Sequence, residues 1–259
     1  MQKNESSALS HKIACSDCTL FQLCLPVGMD ATDLARLEGI IQRRRPLQRG
    51  EFVFRMGEGF HSIYAVSSGS VKTYILTEDG REQVTGFHLP GELLGLDAIS
   101  GEVHPCTARA LETTSLCEIP FDRLETLWAA IPALPRQVMR VMGQEILHDQ
   151  TLLMLMSKKN AEERLAAYLL NLSMRFGRRG YSVREYNLSM SRSDIGNYLG
   201  LAVETVSRIF TRFQDEGVLS VQRKHVQLLD LERLKALAGA LDRGADPTTF
   251  SSQPAADLG

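Results

Sequence analysis

The sequence predicts an α+β chain in which an N-terminal antiparallel β-roll is followed by a long helix and a C-terminal winged helix-turn-helix. Three observations predict this. From Arg49 to Ile119, short runs alternate apolar and polar residues between glycines spaced roughly ten apart, the pattern of a compact antiparallel barrel or roll. From Pro135 to Met156 the periodicity becomes helical, interrupted only by Gly143. Residues 189–230 then hold two short amphipathic segments separated by a glycine turn and followed by a hairpin.

In the first region, Ser62-Ile63-Tyr64-Ala65-Val66 and Val71-Lys72-Thr73-Tyr74-Ile75 are typical half-buried strands, closed by Gly57, Gly59, Gly69 and Gly80. In the helical region Pro135 suits a first turn, where its missing N–H costs nothing. Met139, Met142, Ile146, Asp149, Leu153 and Met156 follow at alternating spacings of three and four, the seam of a two-stranded coiled coil. The same stripe would also suit a helix packed on its own roll. Asp149 bears on the choice, because on a symmetric seam it faces its own copy and weakens the pair by repulsion and desolvation. If the stripe is a dimer seam, the homodimer it makes is a conditional one.

Asn160-Ala161-Glu162-Glu163 is a capping sequence opening a helix with the stripe Leu165, Leu169, Leu172 and Phe176, ended by Gly177 or Gly180. Ser191-Arg192-Ser193-Asp194 opens a further helix with Ile195, Gly196 and Leu199. Gly200 turns the chain into another near Ala202 to Glu216. On that last helix Val206, Ile209, Phe210 and Phe213 share one face and Glu204, Ser207, Arg208 and Thr211 the other.

The second face carries what reading a DNA major groove requires. Arg208 can donate two hydrogen bonds to a guanine edge, Glu204 can accept from cytosine, Ser207 is adaptable and Val203 can meet a thymine methyl. Arg212, Arg192 and Lys224 suit phosphates, adding affinity without base information. Alone, Glu204 and Arg208 could be an exposed pair one turn apart. The apolar back face and the hairpin Gly217–Val221/His225–Leu229, read as a wing, favour DNA. Charge agrees: residues 158–230 carry 12 basic and 8 acidic side chains out of 29 and 31, so they are basic by four while the rest is acidic by six.

The chain has 259 residues, 44% hydrophobic and 23% charged, room for two modest domains, and no apolar run approaches a membrane span, so a cytoplasmic protein is expected. No constellation of nucleophile, base and oxyanion donors supports an enzyme. Five cysteines, three of them at Cys15, Cys18 and Cys24, suit metal or redox chemistry better than disulfides. Three thiolates need a fourth ligand for zinc or a cubane iron–sulfur cluster, and both Cys106 and Cys117 are candidates.

Asp194-Ile195-Gly196-Asn197-Tyr198-Leu199-Gly200-Leu201 with Val203-Glu204-Thr205-Val206-Ser207-Arg208 closely resembles the FNR/Anr oxygen-sensing regulators of the CRP/FNR superfamily. Thr85-Gly86-Phe87-His88-Leu89 and Ser157-Lys158-Lys159-Asn160-Ala161-Glu162-Glu163-Arg164 extend the resemblance. It implies a cyclic-nucleotide-binding-like jelly roll, a [4Fe-4S] cluster on Cys15, Cys18, Cys24 and Cys117, and a dimer that forms when the cluster is intact. It also implies half-sites like TTGAT read by Val203, Glu204, Ser207 and Arg208. RNA polymerase would be met by the charged turn Thr77-Glu78-Asp79-Gly80-Arg81, which composition alone reads as a plain hairpin turn.

The expected organisation is a cluster segment 1–30, a roll 31–132, a dimerisation helix 133–158, a winged helix-turn-helix 159–240 and an unstructured tail 241–259. The nearest rival is a relative sensing another small ligand. A cyclic nucleotide fits poorly, because His104-Pro105-Cys106-Thr107-Ala108 offers no Arg-Ser pair for the phosphate. An iron–sulfur carrier or zinc protein of another class is the more distant rival.

Overall fold

The computed structural model describes residues 14–239, so the expectations for the first thirteen residues and for the tail lie outside the described residues. Two short 3-10 turns, Cys15–Asp17 and Phe21–Leu23, lead into α1 (Ala31–Ile40), which the Asp30 side chain caps by accepting the Asp33 N–H at 2.8 Å. The roll follows as β1 (Gln42–Arg43), β2 (Phe52–Phe54), β3 (Ser62–Ser68), β4 (Val71–Leu76), β5 (Glu82–His88), β6 (Leu93–Leu94), β7 (Thr107–Ala110) and β8 (Ser115–Pro120). These make two antiparallel four-stranded sheets, ordered β1-β8-β3-β6 and β2-β7-β4-β5. Phe54, Val66, Val71, Leu94, Cys106 and Ala108 form the shared interior, but β4, expected to be half-buried, is covered on both faces from Val71 to Tyr74 because the C-terminal unit packs on its outer side.

Helix α2 (Phe121–Trp128) and helix α3 (Ala133–Lys158) come next. The root of α3 is buried: Leu134 and Val138 share a core with Leu25, Leu37, Ile63, Ile119 and Leu124, so the cysteine segment, the roll and the long helix rest on one another. Beyond Val141 the helix turns outward. Helices α1 and α2 were not anticipated; both are short, and their apolar residues are shared with the sheet edge.

The C-terminal unit holds α4 (Ala161–Arg178), β9 (Glu185–Asn187), α5 (Arg192–Leu199), α6 (Val203–Asp215), β10 (Leu219–Gln222), β11 (His225–Leu228) and α7 (Leu231–Ala238). Both expected capping boxes form, Asn160 with Glu163 and Ser191 with Asp194, and each satisfies backbone N–H groups that a helix start leaves open. Leu165, Leu169 and Leu172 are fully buried, worth roughly 1.5–3 kcal/mol each. The wing is three-stranded, order β10-β11-β9; the third strand is only three residues long, too short to signal itself. This unit packs on the roll, where Phe87 meets Tyr168 and Tyr198 at ring-centroid distances of 6.1 and 5.2 Å.

Candidate DNA-reading surface and cysteine pocket

The reading helix depends on how closely α5 and α6 approach. A Cβ placed on Gly196 would stand 2.6 Å from the Leu201 carbonyl oxygen, and Gly200 ends α5 with φ 64°, a left-handed conformation that glycine adopts without strain. The turn therefore requires both glycines. Val206, Ile209, Phe210 and Phe213 are buried behind α6, whereas Val203, Glu204, Ser207 and Arg208 are exposed on its other face. Arg208 leans on the Thr205 hydroxyl at 3.4 Å rather than on Glu204, so the two reading groups stay separately available.

Two of the expected phosphate contacts are differently placed. Arg212 is ion-paired with Glu162 in the first turn of α4, so phosphate binding there must displace a carboxylate. Arg192 stacks on Phe210, its guanidinium carbon 3.0 Å from the ring centroid, and its Nη1 is buried; it supports the back of the reading helix. Lys224 remains exposed in the wing turn.

Cys15, Cys18, Cys24 and Cys117 all line one pocket, floored by Leu25, Leu37 and Ile119. The first three come from the N-terminal turns and the fourth from β8, where Cys117 pairs with Arg43 of β1 and Ala65 of β3. Cys106 lies elsewhere, buried in the roll interior with its Sγ donating to Asp97 at 3.3 Å. His104 beside it stacks flat on Phe54 at 3.7 Å, so this stretch serves the core.

Three side chains around the cysteines escaped sequence reasoning. Glu38 accepts the Cys15 N–H at 2.9 Å and pairs with Arg43 at 2.6 Å. Burial alone would raise the Glu38 carboxyl, but its bonds to Arg43 and Cys15 hold it down at about 2. The Gln137 amide, buried on α3, donates to the Cys24 carbonyl at 3.2 Å, joining the cysteine segment directly to the long helix. These partners are 23 and 113 residues apart in the chain, so no local spacing could have exposed them.

On α3, Met139, Ile146 and Leu153 are 63%, 57% and 70% exposed, and Met142 and Asp149 are exposed beside them. Met156 is half-buried against the C-terminal unit, where the Arg164 guanidinium donates to its carbonyl at 2.6 Å. Leu147 and Met154, not anticipated, extend the apolar stripe sideways. The turn Thr77–Arg81 closes on itself: Thr77 Oγ1 donates to Asp79 at 2.5 Å, and Arg81 pairs with Asp79 at 2.6 Å.

A roll with a long helix and a winged reading helix defines a DNA-binding transcription regulator of the Crp type. Residues 44–130 match the cyclic nucleotide-binding domain family and residues 163–237 the Crp-like helix-turn-helix domain. The chain is 55% identical over 230 residues to "Transcriptional activator protein Anr" of Pseudomonas protegens, spanning 89% of this chain and 94% of the relative. It is 51% identical over 227 residues to the "Fumarate and nitrate reduction regulatory protein" of Vibrio cholerae, spanning 88% and 91%. Among solved structures, FixK2 from Bradyrhizobium japonicum has a TM-score of 0.72 at 31% identity, covering 78% of this chain and 98% of that one. The chain belongs to the FNR/Anr-type regulators of the CRP/FNR superfamily, and it is a regulator rather than an enzyme. No helix among the described residues is long and apolar enough to cross a membrane.

Arg208→Ala is expected to cost about 1–3 kcal/mol of specific binding and to relax base preference at one position. Lys224→Ala, at the expected phosphate contact left exposed, should weaken binding to all sequences alike and flatten its salt dependence. Duplex titrations at two salt concentrations check both.

Proposed function

We propose that this chain is a cytoplasmic, oxygen-responsive regulator that holds a [4Fe-4S] cluster in the absence of oxygen, dimerises, and binds two-fold TTGAT-type promoter sites to control anaerobic gene expression. The observation that carries this reading is that four cysteines, one of them about a hundred residues from the others, line a single pocket while the fifth is buried elsewhere. Four thiols without a histidine or carboxylate in the lining suit an iron–sulfur cluster.

Cys15, Cys18, Cys24 and Cys117 would hold the cluster, which when bound supplies an oxygen-labile iron–sulfur core. Burial raises the Cys15, Cys24 and Cys117 thiols, Cys24 up to about 12, so iron entry must displace protons that these sites otherwise keep. Glu38 positions the Cys15 backbone, and Arg43, beside Cys117, offsets negative charge at the pocket. Gln137 passes the position of the Cys24 segment to α3, whose exposed stripe supplies the seam for a second copy. Two reading helices then face one two-fold DNA site, and the turn Thr77–Arg81 offers RNA polymerase a charged surface.

The test is anaerobic reconstitution with iron and sulfide, read by visible absorbance, iron and sulfide content, sedimentation, and TTGAT-duplex binding before and after air. All four should rise without oxygen and fall in air. Cys117→Ser should fail at the first, and Gln137→Leu should keep iron but lose dimer. A chain that takes up no iron, or takes it up with no change in dimer or DNA affinity, defeats the reading.

A further inference from the structure

We infer that Asn197 and Lys72 lock the reading domain onto the sensor roll at one angle and so determine which spacing between half-sites a dimer accepts. The inference rests on the reading of the chain as a two-fold DNA binder and adds a determinant that lies off the DNA-facing surface.

Strand β5 is the edge of its sheet, so part of its backbone lacks a neighbouring strand. Asn197, on α5, supplies what a neighbour would: its side-chain carbonyl accepts the Val84 N–H and its amide donates to the Glu82 carbonyl, each at 2.5 Å. The Gln83 amide returns a bond to the Asn197 carbonyl at 3.1 Å. This pairing fixes the position of α5 along the strand.

Lys72 fixes it across the strand. Its side chain is only 5% exposed, and its ammonium lies 2.7 Å from Glu82 of the roll and 2.7 Å from Asp194 of α5. A buried cation demands such partners, and their directions leave little freedom to slide. Because Gly196 brings α5 and α6 into close contact, holding α5 also holds the reading helix. Other bonds cross the same junction, Glu92 to Arg175 and Arg179, Ser70 to Ser189 and His148 to Tyr198, but they reach α4, the loop before α5 and the far end of α5, and among the described residues only Asn197 and Lys72 join α5 to the β4–β5 edge.

Two protomers locked in this way present their reading helices at one separation. Inserting a base pair moves a half-site by about 3.4 Å and about a tenth of a turn, which a rigid pair cannot follow. With α5 freed from the edge of β5, the reading helix gains the play to follow it.

The experiment uses the full chain, iron-loaded without oxygen, on duplexes whose two TTGAT half-sites are separated by a series of spacers. The starting chain should prefer one spacer by about a hundredfold over its neighbours, as expected when one half-site is lost. Asn197→Ala and Lys72→Met should cut that preference to below about tenfold with iron content and dimer fraction unchanged, and Lys72→Arg should restore it. Equal weakening on every spacer, an unchanged preference, or tighter binding at the preferred spacer would each overturn the inference. Should both variants fail to fold, Gln83→Ala, which removes the exposed bond to Asn197 and a local one to the Val84 carbonyl, must show a smaller loss of preference in the same direction. A starting chain that binds no duplex at any spacing counts against the proposed function instead.

Discussion

Glu92→Ala is expected to destabilise the chain by about 3–5 kcal/mol, the usual cost of removing one member of a buried ion-pair network. Glu92 sits between two guanidiniums at the end of α4: Arg175 in its last turn at 2.5 Å and Arg179 just beyond it at 2.5 Å, with Arg179 only 3% exposed. Both arginines also reach roll carbonyls, Arg175 at Phe87 and Arg179 at Pro90. Removing the carboxylate leaves two charges with carbonyl partners alone, at the junction where the C-terminal unit meets the roll. Urea unfolding at neutral pH measures the loss.

The same site predicts a pH dependence. Burial raises the Glu92 carboxyl, but Arg175 and Arg179 outweigh it and hold it at about 2, against 4.5 for the free group. Its folded-state value is depressed, so its stabilisation is complete above about 4.5 and is lost as pH falls from there towards 2. The chain should lose about 3 kcal/mol across that window from this group, a loss that Glu92→Ala has already suffered. Parallel pH profiles for the two proteins would refute the assignment.

Much of the reading helix was legible because its signals are local. Val206, Ile209, Phe210 and Phe213 recur at helical spacing, and all four are buried. Asn160 with Glu163 and Ser191 with Asp194 are capping pairs three residues apart, and both form. The glycine-punctuated strands gave the roll for the same reason. What stayed hidden depends on distant partners. Arg192 looks like a phosphate contact until Phe210 is seen beneath it, and Gln137 has no meaning until Cys24 folds against α3. Asn197 is an ordinary helical polar residue in sequence; only the free edge of β5 gives it work. Periodicity registers what a residue shares with its neighbours in the chain, and these residues act on neighbours brought by topology.

Asp149→Ala is expected to tighten dimerisation of the cluster-free chain by about 2 kcal/mol, roughly thirtyfold in dissociation constant. On the proposed seam Asp149 lies between Ile146 and Leu153, both more than half exposed in the single chain. A two-fold axis there brings each carboxylate towards its copy, and association must remove water from both and bear their repulsion. Asp149→Asn, which removes charge but keeps a polar group, should fall between the two, and added salt should narrow the gap by screening the original pair. Sedimentation in air reads the result; an unchanged monomer–dimer balance in Asp149→Ala would sink the seam assignment. An entirely apolar stripe, widened by Leu147 and Met154, would pair whether or not the cysteine pocket was filled. On the proposed seam, a carboxylate on the axis would hold monomer and dimer near balance, where a small displacement of the α3 root through Gln137 would tip it.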